Sequence, residues 1–490
     1  MSIHAQPSVL TLSATELARR LRARELRSVD LVAAHIQRIE AVNGRLNAMV
    51  VKRFSQAMAE AEAADAELDR GADAQTRPLL GVPCTIKESF GLKGMPNAAG
   101  LVSRAEYRSP ADCVTVARLR QAGAIPLGVT NTSELCMWLE SSNRLYGRTS
   151  NPYDHRHMVG GSSGGEGSLV GAGASPFGLG SDIGGSIRLP AFFNGIFGHK
   201  ASSGLVPSTG QYPPCDGDAR RMLSTGPLCR KAEDLMPLLR ILAGPDGVDD
   251  TIAAQHLGDP AEVDLAGLRV RVVMQAGFGT VAPELRAAVN RAAQALAALG
   301  AQVEHREMPE LKQSFLLWSQ KLSLASPHSF HALLGEGKGP PLGRELFRWA
   351  LRKSPHTLPA LGLALLEKVP GLGKPVAAKV DADLAKVQAA LQGAIGPAGV
   401  LLCPTFPRVA PRHGRPLLRP FDSGYTGIFN ALELPVTQVP AGLNHDGLPV
   451  GLQVVGLHGQ DHVTIAVALA LEEALGGWVP PWTTGRPHTS

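Results

Sequence analysis

Nowhere in the 490 residues do two cysteines stand at CxxC spacing, and the six present (Cys84, Cys113, Cys136, Cys215, Cys229, Cys403) show no Cys/His ligand pattern. A structural zinc site and a disulfide framework are therefore excluded as organising features, no metal or other cofactor is expected, and buried thiols in a reducing cytosol fit the pattern. Aromatic residues are scarce at 5%. The 48 basic and 43 acidic side chains include no Lys/Arg block and no basic-aromatic interleaving, so nucleic acid is not an expected partner. No window approaches 18 uninterrupted apolar residues, and the N-terminal MSIHAQPSVLTLSATEL has no basic stretch followed by an apolar one. A soluble, cytoplasmic protein is expected. With 44% hydrophobic and 19% charged residues, the chain can bury a large core.

What the sequence has instead is glycine, concentrated in residues 160–200: GGSSGGEGSLVGAGASPFGLGSDIGGSIRLPAFFNGIFGHK. The intervals between the glycines are too apolar (Leu169, Val170, Phe177, Leu179, Ile183, Ile187, Leu189) for a flexible linker. Two serine-bearing turns, Gly161-Ser162-Ser163-Gly164 and Gly184-Gly185-Ser186, frame the stretch. Glycine lets backbone N–H groups converge on one point, and converging N–H groups beside a hydroxyl suit acyl transfer. A single GGS turn usually does no more than close a loop. Here a third element accompanies the turns: Lys87 ends the apolar run Gly81-Val82-Pro83-Cys84-Thr85-Ile86, where a lysine can be carried into an interior.

GVPxxIK around Lys87, GGSSGGEG around Ser162 and SDIGGSIRLPAFFNGIFGHK around Ser186, at intervals of 75 and 24 residues, resemble the amidase signature family of Ser-Ser-Lys hydrolases. The resemblance extends to residues 147–152 (GRTSNP) and 448–453 (LPVGLQ) and so covers most of the chain. It implies an α/β amidase signature fold, a large mixed and mostly parallel twisted sheet covered by helices on both faces. It also implies Ser186 as nucleophile, Lys87 as base and Ser162, after a cis peptide bond, as the relay between them. Spacing alone would not choose Ser162 over Ser163. The N–H groups of Ile183, Gly184, Gly185 and Ser186 would bind the oxyanion, and Asp182 and Arg188 would brace the turn. Lysine at its ordinary pKa of about 10.4 is protonated near neutrality, so Lys87 must be buried to serve as a base.

The wording around Glu166 resembles the fatty acid amide hydrolase branch, while Glu88 after the lysine and His199-Lys200-Ala201 depart from the usual pattern. The implied activity is hydrolysis of small or lipophilic amides, of the aryl acylamide or fatty acid amide type. Carbamate or ester hydrolysis by the same chemistry is a variant, and a glutamine amidotransferase subunit is a rival. The partner is then a small amide, carbamate or ester, with the protein a monomer or homodimer.

In chain order, Ser13 and Glu16 form a capping-box pattern, and helical spacing continues to an expected stop at Asn43-Gly44. Residues 1–70 are a helical lead-in, 79–235 the catalytic core and 310–380 a lid at the substrate entrance, within one domain spanning 1–490. Strands are expected over 80–86, 124–129, 267–274, 301–304, 400–404 and 451–455, alternating with helices. Cys136 and Met137 are candidates for the pocket wall, the same segment bordering the acyl site in the family. His35 reads as an ordinary surface or core residue, and His155 and His157 are given no role. The segment 342–375 is basic and amphipathic around Arg344, Phe347, Arg348 and Trp349; such a segment can lie on a membrane, but its short, proline-broken apolar runs favour a lid.

Overall fold

Short apolar runs bounded by glycine, proline or helix ends become strands buried on both faces. The computed structural model describes residues 9–73, 75–368 and 376–483, and among them thirteen strands form. They are β1 Met49–Lys52, β2 Pro83–Lys87, β3 Ile125–Thr130, β4 Ser142–Asn143, β5 Gly147–Arg148, β6 Phe177–Asp182, β7 Phe197–Lys200, β8 Ser224–Cys229, β9 Arg269–Val272, β10 Gln302–His305, β11 Val400–Cys403, β12 Val436–Leu443 and β13 Pro449–Val455. Eleven join one sheet in the order β1-β3-β2-β6-β8-β7-β12-β13-β11-β9-β10, while β4 and β5 pair separately. β2 lies between β3 and β6 and runs parallel to both. The carboxyl ends of all three, at Lys87, Thr130 and Asp182, therefore meet at one edge of the sheet, where α/β proteins gather their reactive groups.

The expectation of a mostly parallel sheet is corrected. Among the described residues, six of the ten neighbouring pairs are antiparallel. β6, the helix Arg188–Phe193 and β7 make the parallel crossover that alternating β and α signals suggest, but β8 slots between β6 and β7, antiparallel to each. A tight turn then folds β13 back on β12, with the Asn444 N–H donating to the Leu448 carbonyl at 2.8 Å. Local periodicity identifies a strand; it does not identify which later strand fills the gap beside it.

The lead-in forms helices Ala14–Arg22, Ser28–Leu46 and Phe54–Asp69. Ser13 Oγ caps the first, accepting from the Glu16 N–H at 2.9 Å. The expected stop at Asn43-Gly44 does not occur: the helix runs on to Leu46 and ends at Asn47, whose φ is 48°. The Asn43 carboxamide instead accepts from the N–H groups of Ala48 and Met49 at 2.9 and 2.8 Å, turning the chain into β1, a strand the sequence reading passed over. His35 is a core residue, its imidazole held neutral by burial with a pKa lowered to about 3.

Residues 310–368 form the helices Ser314–Ala325, Phe330–Leu334, Leu342–Ala350 and Leu358–Leu366. The inner sides of the last three build a small apolar cluster from Phe330, Leu334, Leu342 and Leu361 with Leu101 and Leu135, while the helix Ser314–Ala325 packs through Leu317, Trp318 and Leu322 on the main core. Pro370 and Pro375, also expected in the lid, lie outside the described residues. Among those residues no helix is long and apolar enough to cross a membrane.

Candidate active site

Strand β2 carries Lys87 into an interior where none of its surface is exposed. Its Nζ donates to Ser162 Oγ at 2.7 Å and to Ser181 Oγ at 3.0 Å. Burial lowers the Lys87 pKa from the ordinary lysine value, against the opposing influence of Cys136, Asp182 and Glu166 nearby. The lysine is thereby disposed toward its neutral form, held to two hydroxyls.

The peptide bond from Gly161 to Ser162 is cis. A side chain at Gly161 would collide with the Trp138 carbonyl oxygen, so this turn can be made only by glycine. Ser141 Oγ lies 3.0 and 3.1 Å from the carbonyl oxygens of Gly160 and Ser162 and accepts the Gly164 N–H at 2.9 Å, fastening both sides of the bend. The two adjacent serines point to different places. Ser162 receives Lys87, whereas Ser163 Oγ faces the backbone of Ser181, 3.3 Å from its carbonyl oxygen and 3.4 Å from its nitrogen.

Ser186 is partly exposed at the end of β6's following turn, and its carbonyl accepts the Ser163 N–H at 3.2 Å, tying the two serine turns together. Gly185 has φ 131°, and a Cβ there would lie 2.5 Å from Thr426 Oγ1. Asp182 organises the turn from below: Oδ1 accepts the Gly185 N–H at 2.6 Å, and Oδ2 accepts the Ile187 N–H at 3.1 Å. Its carboxylate meets Arg188 through Nη2 and Nε, each at 3.0 Å. Burial by itself would raise the Asp182 pKa, but the Arg188 guanidinium and the backbone N–H donors hold it well below the usual carboxylate range. Arg188 also donates to the Thr426 carbonyl at 3.0 Å and to Asn430 Oδ1 at 2.6 Å. Both residues are thus braces, as the sequence led one to expect. Gly185, expected among the oxyanion donors, has its N–H turned to Asp182, which leaves Ile183, Gly184 and Ser186.

Beneath Lys87, the helix Gly164–Gly171 places Glu166 in full burial among β2, β3 and β6. Thr85 and Thr130 hydrogen-bond its two carboxyl oxygens, the latter at 2.7 Å. Burial raises its pKa to about 8, more than the threonines and Lys87 lower it. Cys136 and Met137, candidates for the pocket wall, are both partly exposed, and Cys136 lies near Lys87. Cys136 Sγ is 3.4 Å from Thr132 Oγ1, and Met137 packs on the apolar cluster of Phe330, Leu334, Leu342 and Leu361. Just before them, Glu134 reaches the segment ahead of the helix Leu358–Leu366: Oε1 pairs with His356 Nδ1 at 2.8 Å, and Oε2 accepts the Thr357 N–H at 2.8 Å. Ser181 and Ser141 were missed by sequence reasoning, since a lone serine in a strand or loop carries no signal of what it faces. Among the described residues, no group of three or more His, Cys, Asp or Glu side chains is placed to hold a metal ion.

A buried lysine, a serine after a cis bond and a second serine on a glycine turn form one constellation, and the amidase family profile matches residues 30–465, which contain all three. The chain belongs to the amidase signature family. It is similar to fatty-acid amide hydrolase 2-A of Danio rerio, 48% identical over 492 residues covering 97% of this chain and 91% of that protein. Fatty-acid amide hydrolase 2 of Homo sapiens is 46% identical over 489 residues, covering 96% and 91%. Among solved structures, the peptide amidase of Stenotrophomonas maltophilia superposes with a TM-score of 0.77 at 27% identity, covering 98% of this chain and 99% of that one. The chain is an amidase, a hydrolase of carbon–nitrogen bonds.

Proposed function

We propose that this amidase cleaves small or lipophilic amides, of the fatty acid amide or aryl acylamide type, through an acyl-enzyme on Ser186. An amide carbonyl is a weak electrophile and its amine a poor leaving group, so three things are needed: an activated nucleophile, an anion site and a proton for nitrogen. Ser186 Oγ attacks the carbonyl carbon while its proton passes to Ser162 and that of Ser162 to neutral Lys87. The tetrahedral oxygen takes N–H donors from the 183–186 turn. As the C–N bond breaks, Ser162 protonates the departing nitrogen and is resupplied by Lys87. Water then attacks the acyl carbon, its proton leaves along the same relay, and the carboxylic acid departs as Ser186 regains its hydrogen.

The observation that carries this reading is the fully buried Lys87 Nζ held 2.7 Å from Ser162 Oγ. A lysine placed for charge pairing would face a carboxylate; this one faces a hydroxyl. The similarity to fatty-acid amide hydrolases supports an apolar acyl group. We take the whole chain as one catalytic domain, cytoplasmic, with residues 310–380 as its lid, acting as a monomer or homodimer. The test is a panel of p-nitroanilides, acyl ethanolamides and aryl carbamates of graded acyl length, run beside glutamine. Turnover should favour the longer acyl amides, and Ser186→Ala should abolish both turnover and labelling by a fluorophosphonate. Labelling that survives in Ser186→Ala removes Ser186 as nucleophile, and a preference for glutamine over every acyl amide removes the substrate class.

A further inference from the structure

We propose that Trp318, on the lid helix Ser314–Ala325, is a positioning residue that aims the Gly184 N–H at the substrate oxyanion and so couples seating of the lid to acyl transfer. The inference rests on the reading of Ser186 as nucleophile. Trp318 Nε1 donates to the Ile183 carbonyl oxygen at 2.8 Å. That carbonyl and the Gly184 N–H belong to a single planar trans peptide, in which C=O and N–H point in opposite directions. Holding the oxygen toward the lid therefore turns the nitrogen's hydrogen away from it. The next peptide is fixed in the same manner: Thr426 Oγ1 donates to the Gly184 carbonyl at 2.6 Å, and the Gly185 N–H on the other end of that unit is taken by Asp182. Two successive peptide planes are thus set from outside, one by the lid and one by the helix Gly424–Ala431.

The packing around the indole makes the contact specific. A Cβ on Gly184 would lie 2.6 Å from Trp318 Cζ2, and a Cβ on Gly427 would lie 2.6 Å from Trp318 Cγ. The ring lies between the oxyanion turn and the buried helix, a slot that only glycine at both positions leaves open. Behind it, Phe315 meets Trp318 with ring centroids 5.8 Å apart and meets Phe421 edge-on at 5.2 Å. Phe421 is about half exposed, at 52%. An aromatic string thus connects the molecular surface to the turn that would stabilise the transition state. A preorganised donor lowers the barrier because it needs no reorientation during the reaction. Water could replace the indole as a donor to the Ile183 oxygen, but it would not fix the plane.

The test compares wild type with Trp318→Phe, which keeps one aromatic ring and removes the N–H. Two readouts are used: hydrolysis of a medium-chain acyl p-nitroanilide, and inhibition by the trifluoromethyl ketone of the same acyl chain, whose enzyme adduct carries the oxyanion. Trp318→Phe is expected to lower kcat about ten- to a hundredfold, less than or comparable to deleting a direct oxyanion donor. KM should stay within about twofold, and the inhibitor's Ki should rise by the factor by which kcat/KM falls. An unchanged kcat overturns the proposal, as does a kcat loss with unchanged Ki, since a purely structural role would not weaken the oxyanion adduct in proportion. Should Trp318→Phe melt below the assay temperature, Trp318→Tyr is read by the same two ratios. Ser186→Ala separates the layers: turnover persisting there overturns the nucleophile assignment, while an inactive Ser186→Ala beside an unaffected Trp318→Phe overturns only the role of the tryptophan.

Discussion

Glu166 occupies the space that a side chain on Gly178 would fill, for a Cβ built on that glycine would overlap Glu166 Oε2. The glycine belongs to β6 and the carboxyl to the helix beneath it, so strand and helix are matched at a point directly under the strand that carries Lys87. Overpacking of this kind costs about 1–3 kcal/mol. Gly178→Ala is therefore expected to lower stability by that amount in urea denaturation. Because the clash is with one side chain, the same substitution in a Glu166→Ala background should cost clearly less, and the double-mutant cycle measures the difference. Equal costs in the two backgrounds would show that the glycine is needed for another reason.

The Glu166 carboxyl, raised by burial to about 8 against an ordinary value of 4.5, gives a signed prediction. Its folded pKa lies above its unfolded one, so the folded protein binds the extra proton between those values, and stability falls as pH rises from 4.5 toward 8. The effect is of the order of a few kcal/mol at most, one pKa unit corresponding to about 1.4 kcal/mol. Glu166→Gln should flatten this fall in Tm between pH 5 and 8. It should also move the acid limb of kcat/KM to lower pH, since a carboxylate near Lys87 favours the charged amine. A limb that does not move would place Glu166 outside the electrostatics of the base.

Much of the site was legible because its parts are backbone features that only glycine permits. The serine turns at 161–164 and 184–186 announce close backbone approach, and Lys87 ends an apolar run that had to be a buried strand. What could not be read was the partnership of distant side chains. Ser181 reaches Lys87 and Ser141 fastens the Ser162 turn, yet neither stands in a pattern that separates it from any other serine. The Gly185 N–H looked like an oxyanion donor until Asp182 was seen to accept it, a consequence of the turn's curvature and not of its composition. In the fold, β2, β3 and β9 fell where apolar runs stood between helices. β1 was lost because its four residues, MVVK, directly follow a helix whose end the Asn43-Gly44 pair misplaced.

The proposed lid is fastened to the core by Glu134, buried with His356 and accepting the first N–H beyond it at Thr357. Removing one member of this buried hydrogen-bonded pair leaves the other unsatisfied, at a cost of about 1–3 kcal/mol. Glu134→Gln and His356→Ala should each lower Tm, and the double variant should lose less than their sum because the two act on one contact. With the lid loosened, KM for a long-chain amide should rise several-fold while that for an acetanilide changes little. A uniform rise in both would assign the pair to general stability and not to the entrance.

The last prediction concerns the direction in which Lys87 responds to protons. Burial lowers its pKa, so the neutral amine that can accept a proton from Ser162 is populated at lower pH than for a solvated lysine near 10.4. kcat/KM should accordingly rise with pH through an acid limb whose midpoint lies below that value and then level off. Lys87→Ala should cut kcat by about 10²–10⁴-fold, the usual contribution of a positioned base, and should replace the plateau by a rate that keeps climbing with hydroxide. Stability carries the same sign. The unfolded chain binds the lysine's proton up to about pH 10.4 while the folded one has released it, so the native state gains as pH rises across that window. Lys87→Met cannot release a proton, so its Tm should lack this gain, and the advantage of Lys87→Met over the wild type should shrink from pH 7 to pH 10. An advantage that stays constant over that range would mean that the lysine is charged in the folded protein, and a charged Lys87 could not serve Ser162 as a base.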